Sequence, residues 1–213
     1  MTSPSRWTIL SALIGVLAAA ESTPIIATRT NSTYAVNEAG QLTLIRQETG
    51  TWVRAADGSE ATHMQEAKDG QPTGSLTMGL ITSRGNNQTI AINYRTKQYL
   101  VQPAGPAPPP LQVKPGMESR VINGVYSVAL PVRDRKTGEV TGKGWFSPDY
   151  KITTRNEFDV TIPASGKKIH IVDELSNVQV GVAPDAQQFA IPSGFSRAAG
   201  TVPCSNCASQ GTP

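Results

Sequence analysis

The sequence predicts a mainly β fold: a curved antiparallel meander sheet, or incompletely closed β-barrel, with at most one or two short helices. Three observations lead there. Gln88 to Tyr94 sets Ile90, Ile92 and Tyr94 off one face from Thr89, Ala91 and Asn93, the period of a strand with one buried side. Turn-forming clusters such as Arg84-Gly-Asn-Asn87, Asp134-Arg-Lys-Thr-Gly138 and Pro163-Ala-Ser-Gly166 punctuate such segments. From Glu118 to Phe195 no helical period interrupts them.

Thr23 to Tyr34 is rich in Thr, Asn and Ser and reads as a loose segment or an edge strand. Gly40–Gln47 and Thr51–Ala55 read as a first hairpin about a Glu48-Thr49-Gly50 turn. Glu60 to Lys68 carries a thin apolar stripe (Ala61, Met64, Ala67) that suits either a helix capped near Asp57 or a polar strand or loop. Ser75–Thr82, Gln88–Tyr94 and Lys97–Pro103 follow as strands. The Pro-rich connection 104–116 cannot join a ladder, because proline lacks the backbone donor. It either links two domains or crosses between sheet edges, and the shortness of each half favours the crossing. The second half is a meander: Ser119–Arg133 with a bend at Gly124, Val140–Ser147, Tyr150–Val160 and Lys167–Asn177, closing near Phe195.

The chain has 213 residues. Residues 1–20 pair a weakly cationic start (Arg6) with the apolar run Thr8–Ala20 and small residues at Ala18 and Ala20, the pattern of a secretory signal peptide. The run is short for a membrane span; the competing reading is an uncleaved N-terminal anchor. Residues 21–197 then form a single β-rich domain and 198–213 a flexible tail carrying Cys204 and Cys207. Formal net charge is +3, and without Arg6 it falls closer to zero, so nucleic acid has no electrostatic claim on the chain.

The order of signals resembles a known family. Tyr99-Leu-Val-Gln-Pro103, Gly124-Val-Tyr-Ser-Val128, Trp145-Phe-Ser-Pro-Asp149, Leu175-Ser-Asn-Val178 and Pro184-Asp-Ala…Phe189-Ala-Ile-Pro-Ser-Gly-Phe195 follow one another. They are similar to the exported bacterial LolA-like half-barrel proteins, relatives of the outer-membrane lipoprotein carrier. Tyr150 and Phe195 stand where the family pattern has Leu and Tyr. The resemblance implies an unclosed antiparallel barrel whose apolar concave face holds a lipid acyl chain or hydrophobic segment, in the periplasm or outside the cell.

Motifs of catalysis are sparse. Cys204-Ser-Asn-Cys207 lacks the βαβ setting of a redox site and the further ligands of a zinc site. In an oxidising compartment it reads as a local or intermolecular disulfide. His63 and His170 are the two histidines; His170 alternates opposite Ile169 and Ile171, which places it on the solvent side of a strand. Asp173-Glu174 reads as solvated charge in a turn or at a strand end, and the Asn31-Ser-Thr33 and Asn87-Gln-Thr89 sequons read as surface turns. No cofactor or metal is implied. Trp145, Phe146, Tyr150 and Phe158 are the aromatic candidates for a ligand groove, with core packing as the alternative. The functional reading is an exported binding or carrier protein for a lipid or hydrophobic segment. The alternatives are an envelope assembly protein acting through protein contacts and a hydrolase without a recognisable motif.

Overall fold

The computed structural model describes residues 22–105, 113–114, 116–134 and 137–199. The expected signal segment 1–20, much of the Pro-rich connection, and Cys204 and Cys207 lie outside the described residues. Twelve strands form one curved sheet that does not close on itself. They are β1 (Ile25–Val36), β2 (Leu42–Arg54), β3 (Glu60–Lys68), β4 (Gln71–Ser83), β5 (Gln88–Asn93), β6 (Gln98–Pro103), β7 (Ser119–Ile122), β8 (Val125–Arg133), β9 (Val140–Ser147), β10 (Ile152–Thr161), β11 (Lys168–Val180) and β12 (Ser196–Arg197). The helical content among the described residues is one 3-10 turn, Ala186–Phe189, capped by the Asp185 carboxylate accepting from the Gln187 N–H.

The strand order is β12-β6-β5-β4-β3-β2-β1-β11-β10-β9-β8-β7. Two meanders, β1–β6 and β7–β11, therefore meet along the antiparallel β1–β11 pair. β6 lies beside one edge of the sheet and β7 forms the other, so the strands before and after the Pro-rich connection belong to one sheet. Among the described strands only β12 pairs in parallel, on β6.

Several readings need correction. Thr23–Tyr34 lies mostly in β1, at the centre of the sheet. Glu48-Thr49-Gly50 is no turn, because β2 runs unbroken through it. Gly50 serves close approach instead: a Cβ there would fall 1.9 Å from the His63 carbonyl oxygen on β3. Of the open alternatives for Glu60–Lys68, the strand is the one adopted. Asn31 and Asp173-Glu174 sit within strands, with Asn31 directly opposite Asp173 across the β1–β11 pair.

Antiparallel register assigns each side chain to a face. Trp52 and Val53 mark the two. On the Trp52 face Ile25, Ala27, Trp52, Ile152 and Leu175 form a buried cluster, with Tyr150 and Val178 packed on it. On the Val53 face Val53, Ala61, Ile81 and Ile92 form the other, flanked by Ile26, Ile90, Tyr94, Tyr99, Phe189 and Phe195. The last two come from the segment after β11, which crosses this face and returns to β6 as β12.

Candidate functional site

On the Trp52 face, cross-strand register aligns Glu48, Asn31, Asp173 and Asn156 in one row over β2, β1, β11 and β10. Arg29 anchors the row. Its Nε and Nη2 donate to Asp173 Oδ1 and Oδ2 at 2.8 and 2.6 Å, the bidentate fork that guanidinium and carboxylate geometry favours. Its Nη1 reaches over Gly50 to within 3.5 Å of Thr62 Oγ1 on β3. Burial pulls the Arg29 pKa down, but Asp173 outweighs it and holds the pKa above the ordinary value. Glu48 accepts from Arg46 Nη2 at 2.7 Å and from Thr77 Oγ1 at 3.3 Å.

Nearby, Arg54 donates to the carbonyls of Thr23 and Lys151, tying β2 to the turn between β9 and β10. Burial lowers the Arg54 pKa and raises that of half-buried Glu60 across the β2–β3 pair, with the arginines Arg54, Arg84 and Arg29 partly countering the latter.

Beyond the polar row the same face turns apolar. Phe158 pairs with Ile171 and Val160 with Ile169. Gly142 and Gly144 of β9 sit beside Phe158 and Asn156. A Cβ on Gly142 would come within 2.5 Å of Phe158 Cβ, so glycine lets the ring lie against the strand. Phe146 continues this side of β9, and Leu130 and Val132 extend it onto β8. Phe158 is buried, Val160 exposed and the others half-buried.

The Val53 face is polar over β10 and β11. Arg155 pairs with Glu157 and Glu174, while Asn123 of the β7–β8 turn donates to Glu174 Oε1 and the Leu175 carbonyl. His170 Nδ1 lies 2.8 Å from Asp159 Oδ1. Partial burial pushes the Asp159 carboxyl up, but hydrogen bonds from His170 and Lys168 prevail and hold its pKa below the ordinary carboxylate range. The His170 side chain is 15% exposed, so its side of the strand is not open solvent. Two hollows of about 320 and 290 Å³ also open on the molecule. The larger lies on the Val53 face among Thr28, Thr49, Thr51 and Gln65, the smaller beside Gln88, Gln102 and Arg197. Both have polar linings, unlike the apolar cavity a carrier reading anticipates; the apolar surface is an open strip.

The aromatic candidates do not converge as one group. Phe146 and Phe158 share the Trp52 face. Trp145 is buried on the other, beneath the Arg120 guanidinium 3.7 Å from its ring centroid. Tyr150, in the β9–β10 turn, packs on the Trp52 cluster. Sequence reading misses Arg29 and Asn156 and takes Asp173 and Asn31 for solvated surface groups; the one available signal is the polar alternation of Ala27-Thr-Arg-Thr-Asn31. Among the described residues no group of three or more His, Cys, Asp or Glu side chains is placed to hold a metal ion. No described helix is long and apolar enough to cross a membrane.

No protein-family model matches the chain, and no curated protein matches it. Among solved structures it is similar to an uncharacterized conserved protein from Thermus thermophilus, with TM-score 0.44, 14% identity and coverage of 83% of this chain and 90% of the other. It is similar to MucB, with TM-score 0.43, 11% identity and coverage of 83% and 60%. It is also similar to a putative outer membrane lipoprotein-sorting protein domain from Vibrio parahaemolyticus, with TM-score 0.26, 10% identity and coverage of 78% and 88%.

Proposed function

We propose that the protein is an exported cell-envelope binding protein or carrier that holds a lipid acyl chain or hydrophobic segment along the Trp52 face of β8–β11. The observation that carries this reading is the apolar strip of Leu130, Val132, Phe146, Phe158, Val160, Ile169 and Ile171 on one face, where Phe158 is buried, Val160 exposed and the others only half-buried. Apolar side chains lined up on one face and left partly in water are costly and mark a place where another apolar body docks. The bordering row of Asn31, Asp173 and Asn156 supplies amides and a paired carboxylate beside it. That arrangement suits an amphiphile, with its chain on the strip and its polar end at the row. Trp145 and Tyr150, buried or packed elsewhere, support this scaffold rather than touch the ligand.

Native mass spectrometry of protein purified from its own envelope tests the reading. A bound mass in the lipid or peptide range is expected, and Phe146→Asp with Ile171→Asp should lower its occupancy at least tenfold while circular dichroism stays unchanged. Ligand-free protein from that source, or equal occupancy in the double variant, would overturn it.

A further inference from the structure

The end of β2 nearest the β1–β2 turn presents an unpaired strand edge. β2 pairs with β3 only from Arg54 to Glu48. Leu42 to Arg46 continue as strand, bonded to β1 alone, and every residue from Gln41 to Arg46 is exposed. The Asn37 N–H donates to the Gln41 carbonyl at 3.1 Å. In an antiparallel ladder bonded and non-bonded pairs alternate, so Val36–Leu42 is a non-bonded pair and Ala35–Thr43 a bonded one. The N–H and C=O of Leu42 and Leu44 therefore point away from β1. Side chains at the same place are apolar and in water: Leu42, Leu44 and Ile45 are 51, 44 and 58% exposed. Natural sheets ordinarily blunt such an edge with charge, proline or a cover. Arg46 is the single charge from Gln41 to Gln47.

We infer that this edge pairs, antiparallel, with the same edge of a second copy of the chain. A two-fold axis at Thr43 sets Leu42 of each copy opposite Leu44 of the other. Because the outward-pointing residues are two apart, that register satisfies all four free groups on each strand with four interstrand hydrogen bonds. It also stacks leucine on leucine across the junction. Charge is complementary rather than opposed: Arg46 falls opposite Gly40 of the second copy, in the turn that carries Glu38, and no like charges face each other. The contact joins two sheets edge to edge and leaves the apolar strip on β8–β11 free, so it stands independently of the ligand reading.

Sedimentation velocity of the whole mature chain over a concentration series tests the pairing. A monomer–dimer equilibrium is expected, and Leu42→Lys with Leu44→Lys should weaken it at least tenfold. Both side chains are exposed, so an unchanged melting temperature is expected of the variant. Amide exchange gives a second readout: the Leu42 and Leu44 N–H groups should slow as wild-type concentration rises, while that of Leu76 does not. A wild-type monomer at all concentrations, a dimer indifferent to the two lysines, or unaltered exchange at Leu42 and Leu44 would overturn the inference.

Discussion

On the Val53 face of β2–β5, Ile81 and Ile92 keep only 2% of their surface in water, because Phe189 and Phe195 return from beyond β11 to roof them. On the Trp52 face of β8–β11, Ile169, Ile171 and Phe146 keep partial exposure. Both surfaces are built from alternating β-branched and aromatic residues in the same sheet. What separates them is the segment packed on one and not on the other, so burial on the first contributes to folding while apolar area on the second stays partly in water. The clamp on the covered side is specific. His63 Nε2 lies 2.8 Å from the Gln188 carbonyl, which can only accept, so that nitrogen carries a proton, and in the neutral ring Nδ1 accepts from the Tyr94 hydroxyl at 2.8 Å.

The largest effect separating the two surfaces comes from truncating equivalent isoleucines. Ile81→Ala should cost about 3 kcal/mol, as for other large-to-small changes in a filled core, whereas Ile171→Ala should cost about 1 kcal/mol or less because its side chain already meets water. Urea unfolding of both variants measures the difference. Equal costs would mean that the β8–β11 strip is as well covered as the other face, and the ligand reading would lose its footing.

Next in size is the ion pair that borders the strip. Asp173→Ala leaves Arg29 with only its long contact to Thr62, at an expected cost of about 2 kcal/mol, below the roughly 3–5 of a fully buried pair because both partners keep some water contact. Replacing both members, Arg29→Met with Asp173→Leu, should recover most of that stability. If the double variant is no better than Asp173→Ala, the pair matters through its attachment to the row rather than through its own charge.

The same comparison explains what could be read from the sequence. Alternation within each strand was legible: it put Phe146 and Phe158 on strands and predicted the open antiparallel meander. It also set His170 opposite Ile169 and Ile171, but could not show that Tyr34 and Asp159 flank the opposite side, since register between strands is a long-range property. Gly50 looked like turn chemistry because a glycine required by a neighbouring backbone leaves the same local signature as one required by a turn. The Arg29–Asp173 pair joins residues 144 apart in sequence, and nothing local distinguishes either from an ordinary exposed strand charge. The sequence marks the C-terminal segment as the end of the domain; that it covers one face follows only from where Phe189 and Phe195 pack and β12 pairs.

A smaller effect should follow from loosening that roof. Phe195 is half-buried and stacks edge-on with Tyr94 at 5.5 Å between ring centroids. Phe195→Ala should cost about 1.5 kcal/mol, less than a fully buried phenylalanine. It should also raise amide exchange selectively in residues 186–197. Uniform acceleration across β2–β5 would instead mean that the segment unfolds together with the sheet and is no separate cover.

The smallest effects are those of pH, and the two faces should respond with opposite sign. Burial raises the folded-state pKa of Glu60 on the Trp52 face above the unfolded value of about 4.3. The folded chain thus holds that proton more tightly, so this contribution is full below the unfolded value and is lost as pH rises through the folded one. Asp159, on the Val53 face, has its folded pKa lowered below an unfolded value of about 3.9 by His170 and Lys168. Its contribution is present above that value and disappears as pH falls through the folded one. Glu60→Gln should therefore gain on wild type, by about 1 kcal/mol or less, as pH climbs from about 4 to 7 and ionisation is no longer penalised. Asp159→Asn should lose roughly 0.3 kcal/mol at pH ~7, since the carboxylate is substantially exposed and water screens it, and the loss should shrink as pH falls below about 3.9. Thermal melts from about pH 2 to 7 distinguish the two. A Glu60→Gln gain that is the same at both ends of the range would show that amide packing, not removal of a buried charge beside the arginines, is its source.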